Sequence, residues 1–136
     1  METALRTLRL IQVAFILSVV VYMVIGEMAG SHPAESNPTI GLAMAVFAAS
    51  TVGIVVIVRR VMLVPAGAVL TSNPNDGSGI ARWRAANIVV LALCESIGLY
   101  GFVLRFLGFT LAQTMPFYLA AILMMLYFGP KRPLAQ

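Results

Sequence analysis

Three ionisable groups stand inside otherwise apolar stretches of this chain, and they are the residues able to carry chemistry. Glu95 interrupts the run from Ile88 to Gly108, Arg105 lies near the far end of the same run, and Glu27 closes an earlier run from Leu10 to Met28. A carboxylate ionised in hydrocarbon costs several kcal/mol, so such groups are paired, hydrogen-bonded or functional. Two chemistries suit Glu95. It can hydrogen-bond across a helix interface and fix packing, or it can load and unload a proton or cation as local hydration changes. By depth alone, the hydroxyls able to meet it are Ser50 and Thr51 in a middle apolar segment, and Ser18 and Tyr22 in the first. These five residues form the candidate ion-binding set.

Other chemistry is poorly supplied. The chain has one histidine, His32, and no nucleophile with a base at useful spacing, so no catalytic residues are assigned and an enzyme is not expected. Glu27, His32 and Glu35 are too few and too loosely spaced for a metal site and read as a solvated polar turn. Gly77 to Gly79 is a flexible linker, not a phosphate cradle, and no cofactor is implied. The single cysteine, Cys94, excludes an internal disulfide and reads as a small buried residue. Met115, Met124 and Met125 read as helix packing.

The elements that position these groups follow from composition. Of the 136 residues, 60% are hydrophobic and only 10% charged, against about a quarter charged in a soluble domain. The fold class is therefore an all-α integral membrane protein in a lipid bilayer. Transmembrane helices are expected at about 10–28, 40–64, 85–109 and 111–128, in one membrane domain with a polar cytoplasmic loop at 65–84. The first run exceeds a signal-peptide core of about 7–15 residues and lacks a small-residue cleavage site, so it reads as a retained helix. The breaker-rich stretch from Gly30 to Pro38 separates it from the second helix, for which Thr39 is the expected N-cap and Pro65 the stop. Gly41, Ala45, Ala49 and Gly53 recur every four residues, the small-residue spacing that lets membrane helices approach closely. Gly98 and Gly101 do the same for the third helix, and Arg82, Trp83 and Arg84 read as an interfacial anchor. The fourth helix must hold Pro116 in its first turns or at a kink.

The net charge of +4 does not indicate nucleic acid, because the basic residues lie in pairs beside apolar segments. Arg6, Arg9, Arg59, Arg60, Arg82, Arg84, Lys131 and Arg132 all fall on one side if four helices cross. The positive-inside rule then makes the protein multi-pass with both termini cytoplasmic. Sliding the chain by 78 residues superposes Arg6 on Arg84, Ser18 on Ser96, Tyr22 on Tyr100, Gly30 on Gly108 and Pro38 on Pro116. This predicts two helical hairpins related by internal duplication. The same shift sets Glu27 on Arg105 at equal depth near the outer side, where an interhelical ion pair is expected.

Asn73-Pro74 in a polar loop, then Ile80-Ala81-Arg82 and the segment from Leu91 through Glu95 to Tyr100-Gly101-Phe102-Val103, resembles the second half of a rotary ATPase proteolipid (c) subunit. The resemblance covers about residues 73–103. It implies that Glu95 is the ion-carrying carboxylate, and that the Gly41, Ala45, Ala49 and Gly53 helix is the tightly packed inner one. The expectation is a small membrane subunit, in a homo-oligomer or a larger complex, that handles a proton or cation through Glu95. The alternative is a structural or assembly subunit in which Glu95 only fixes helix packing.

Overall fold

In a computed structural model, residues 1–29 and 37–133 are described, and among them the regular structure is entirely helical. The helices are α1 (Glu2–Ala29), α2 (Pro38–Val58), α3 (Val64–Ser72), α4 (Gly77–Phe106) and α5 (Leu111–Tyr127), with a π-helical turn, Arg59–Leu63, joining α2 to α3. The segment from Gly30 to Ser36, including His32 and Glu35, lies outside the described residues.

Three stretches are long and apolar enough to cross a membrane: Glu2–Ala29, Pro38–Ser72 and Gly77–Phe106. Helix α5 is shorter, at 17 residues. Large apolar side chains cover the outside, among them Leu10, Leu42, Ile57 and Leu123, each more than half exposed. A surface of that kind is suited to lipid, which makes this a membrane protein.

The second span runs past its expected stop. Asn37, not Thr39, caps α2, its side chain accepting from the Thr39 amide at 2.9 Å, and Pro38 occupies the first turn, where a missing N–H costs nothing. Pro65 does not end the helix. A proline inside a helix loses one backbone bond and crowds the carbonyl four residues back. The wide turn at Arg59–Leu63, closed by the Val64 amide on the Arg59 carbonyl, stands directly before it, and the chain continues as α3.

The expected loop at 65–84 is accordingly corrected. Thr71 and Ser72 turn their hydroxyls back onto the Ala68 and Val69 carbonyls at 2.7 and 2.9 Å, finishing α3. Only residues 73–76 separate it from α4, which Asp76 caps by accepting from the Ser78 amide at 3.1 Å. Turn-forming residues here cap helices instead of forming a long loop.

At its other end α4 closes with a Schellman arrangement. Gly108 takes φ 96°, Phe109 N–H bonds the Leu104 carbonyl and Gly108 N–H the Arg105 carbonyl. Thr110 and Gln113 then form a capping box that starts α5. Pro116 lies inside α5, one turn in, as its sequence position requires.

Helix α4 is the hub. It carries buried residues along its whole length, and α1, α2, α3 and α5 all pack on it. Helices α4 and α5 form an antiparallel hairpin, whereas α1 and α2 spend their inner faces on α4 and make little contact with each other. One core joins Val19, Val55, Val90, Leu91, Cys94, Ile97, Tyr118, Ala121 and Met125 across the bundle. A second, at the basic end, joins Ala4, Leu5, Leu8, Ala66, Leu70 and Trp83. At about 1.5 Å per residue α4 is roughly 45 Å long, more than the ~30 Å hydrocarbon thickness, so a small helical base carries the basic residues beyond the apolar zone.

Candidate functional site

The site is built on the parallel packing of α1 against α4. Glu27 and Arg105 are 78 positions apart and bond at 2.9 Å, from Arg105 Nε to the carboxylate. Lower down, a Cβ built on Gly98 would lie only 3.0 Å from Val19 Cγ2, so the glycine admits α1 to close approach. The two contacts, 78 and 79 positions apart, set residues of α1 beside residues of α4 close to 78 positions later in the chain. Gly26 helps the ion pair form: a Cβ there would stand 3.3 Å from Arg105 Cγ, so its absence leaves room for the arginine stem. Arg105 also donates to the Phe109 carbonyl at 2.9 Å, which ties the pair to the end of α4.

In this register Tyr22 begins level with Tyr100, about 7.5 Å outward of Glu95 along α4. Side chains on a helix slant toward its N-terminus. Tyr22 therefore leans back down α1, and its hydroxyl donates to Glu95 Oε1 at 2.8 Å. Its ring rests against Phe102 with centroids 5.5 Å apart, and Phe102 is in turn edge-on to Phe106 at 4.9 Å. Glu95 is half-buried under this aromatic group. Among the described residues the ion pairs are Arg105 with Glu27 and Arg132 with Glu2, so Glu95 has a phenol partner and no cation.

Of the five candidate ion-binding residues, the structure brings together two, Glu95 and Tyr22. Thr51 is buried but belongs to another joint, donating to the Phe47 carbonyl at 2.9 Å and sharing a 3.1 Å hydrogen bond with Tyr100. Ser50 is exposed and bonds the Val46 carbonyl at 2.9 Å. Ser18 makes no hydrogen bond to Glu95. Depth placed Ser50 and Thr51 near the acid, but helical rotation sends both to other faces, whereas Ser18 lies one turn below Tyr22 on the same side of α1 without bonding the acid.

Rotation also corrects the small-residue stripe. Gly41 packs, since a Cβ there would be 2.9 Å from the Phe109 ring, whereas Gly53 has nothing within 4 Å. Ala45 and Ala49 are exposed and line a shallow apolar groove with Pro116 and Phe117. The face of α2 that docks on α4 is Thr51 and Val55, at about 200° from Ala49 and Gly53. Gly101 does pack: a Cβ would meet Phe117 Cβ at 2.8 Å and the Thr114 carbonyl at 3.3 Å.

The interfacial anchor is corrected too. Trp83 is 3% exposed and sits in the core at the basic end, while Arg82 and Arg84 point outward. Because α4 starts at Gly77, Trp83 falls on the buried face with Gly79, Ala86 and Val90.

Sequence reasoning missed Arg59. Its guanidinium lies over the Phe128 ring, 4.5 Å from the centroid, and its Nε is buried with no hydrogen-bond partner. The signal was available, because Thr51, Val55 and Arg59 recur every four residues on one face of α2. Tyr118 is likewise buried with its hydroxyl unpartnered. No cluster of three metal-ligating side chains occurs among the described residues. Comparison with protein-family models, curated proteins and solved structures finds no match.

Proposed function

We propose that this chain is a small multi-pass membrane subunit in which Glu95 takes up and releases a proton within the bilayer. The observation that carries the reading is the Tyr22–Glu95 hydrogen bond at 2.8 Å on a half-buried acid with no cationic partner among the described residues. A carboxyl held by a phenol can exchange a proton without breaking a salt bridge. A desolvated metal cation wants several oxygen ligands, and one phenol oxygen is a poor shell, so the proton is the preferred ion. The resemblance of residues 73–103 to the proteolipid subunit supports the same assignment. In this reading α5 also crosses, both termini and the 73–76 turn are cytoplasmic, and the hairpins descend from one duplicated ancestor. Other membrane subunits, whether copies of this chain or different proteins, are its partners.

The test is reaction with a hydrophobic carbodiimide and proton flux in vesicles. Glu95 is expected to be the modified residue, and Glu95→Gln to abolish flux while the protein stays folded. Unchanged flux in Glu95→Gln sinks the proposal. A second reading has its own support, because the same hydrogen bond joins α1 to α4 and could serve packing alone. Under that reading Glu95→Gln and Tyr22→Phe lower stability, and no flux exists to lose.

A further inference from the structure

A cleft of about 530 Å³ opens at the basic end of the bundle, on the opposite side of the apolar core from the Glu27–Arg105 pair. It is bounded by Arg59 of the π-helical turn, Thr71 of α3, Trp83 and Asn87 of α4, and Lys131 and Arg132 of the C-terminal segment. Among the described residues no carboxylate lines it. Among the described residues the acid paired with a cation at this end is Glu2, 3.3 Å from Arg132 across an exposed surface.

Arg59 distinguishes this cleft from a merely basic surface. Arg59 follows Val55 by one regular turn, so it continues the face of α2 that docks on α4, and Phe128 supports the flat side of its guanidinium. Its buried Nε has no acceptor. A planar guanidinium backed by an aromatic ring, with donors free at its edge, suits the oxygens of a phosphate group. Lys131 adds an ammonium on a long flexible stem, at rest over the Tyr127 ring 5.6 Å away. Leu63 and Val64 form an adjoining apolar wall, and basic pockets between membrane helices on the cytoplasmic side are sites for acidic lipid headgroups.

We propose that this cleft binds a phosphate group, held by Arg59, Lys131 and Arg132. The chemistry is shared by an anionic phospholipid headgroup and by soluble phosphate. The site is separate from Glu95, so it stands or falls independently of proton handling.

Trp83, the only tryptophan in the chain, lines the cleft, and its emission can report occupancy directly. The full-length protein in phosphatidylcholine nanodiscs would be titrated with inorganic phosphate, and separately reconstituted at rising phosphatidylglycerol fraction. Saturation with phosphatidylglycerol alone identifies a lipid site, and saturation with inorganic phosphate identifies a soluble ligand. Either supports the proposal provided the midpoint moves in the cleft variants. Lys131→Gln with Arg132→Gln removes two exposed cations and should weaken binding roughly 25-fold, at about fivefold per cation. Arg59→Gln should weaken it as well, but the double variant decides the matter if Arg59→Gln does not fold. Arg6→Gln with Arg9→Gln removes the same charge from outside the cleft and should leave the midpoint within about twofold. No saturable response to either probe overturns the site. So does an equal shift in the Arg6 and Arg9 control, which would mean diffuse attraction to the basic surface.

Discussion

Arg105 and Glu27 lie 78 residues apart and meet at 2.9 Å. They hold the outer ends of α1 and α4 in register and so set the height at which Tyr22 reaches Glu95. Arg105 is the more enclosed partner, its side chain 15% exposed against 42% for Glu27. Losing Glu27 therefore strands a cation at the edge of the apolar zone. Glu27→Gln is expected to destabilise the protein by about 1–3 kcal/mol. Exchange of the two residues, Glu27→Arg with Arg105→Glu, should recover part of that loss, as read by thermal unfolding in detergent.

The Tyr22–Glu95 bond should appear as an energetic coupling between α1 and α4. A double-mutant cycle with Tyr22→Phe and Glu95→Gln is expected to return about 0.6–1.7 kcal/mol, the range for hydrogen bonds between membrane helices. Additive losses would mean that the two side chains do not interact in the folded protein.

Glycines on the two spans should behave oppositely. Gly101→Ala pushes a methyl group against the Thr114 carbonyl and the Phe117 stem, and is expected to cost about 1–3 kcal/mol. Gly53→Ala enters open space and should be neutral or stabilise α2 by up to ~1 kcal/mol. Unfolding midpoints of the two variants test this directly.

Trp83 and its arginine neighbours should separate cleanly. Trp83→Ala empties the core at the basic end and is expected to cost about 3–5 kcal/mol. Arg82→Ala and Arg84→Ala alter exposed side chains and should stay within about 0.5 kcal/mol. Poor quenching of Trp83 by acrylamide in the wild-type protein would agree with its burial.

Much of the architecture was legible in the residues themselves. Long apolar runs with so few charges leave membrane helices as the economical solution, and apart from Glu95 the charged residues stand toward the ends of those runs. Glu27 and Arg105 could be paired in advance because the 78-residue offset that aligns Tyr22 with Tyr100 also aligns them, and opposite charges near the ends of two apolar helices gain by meeting. Tyr22 was nameable as a neighbour of Glu95 for a related reason. The stretch from Pro65 to Arg84 was harder. Pro, Gly, Asn and Ser favour turns locally, but Pro65 follows a wide helical turn, and Asp76 is a cap.

The sequence by itself determined which segments are apolar, which charges they contain and how far along its helix each charge lies, because these depend only on composition and a fixed rise per residue. The tertiary structure decided which way each side chain faces. A helix turns about 100° per residue, so side chains adjacent in depth, such as Ser50 and Thr51, point apart. Only the packing of α1, α2 and α5 around α4 selected Tyr22 for Glu95, Tyr100 for Thr51, and the inward face for Arg59.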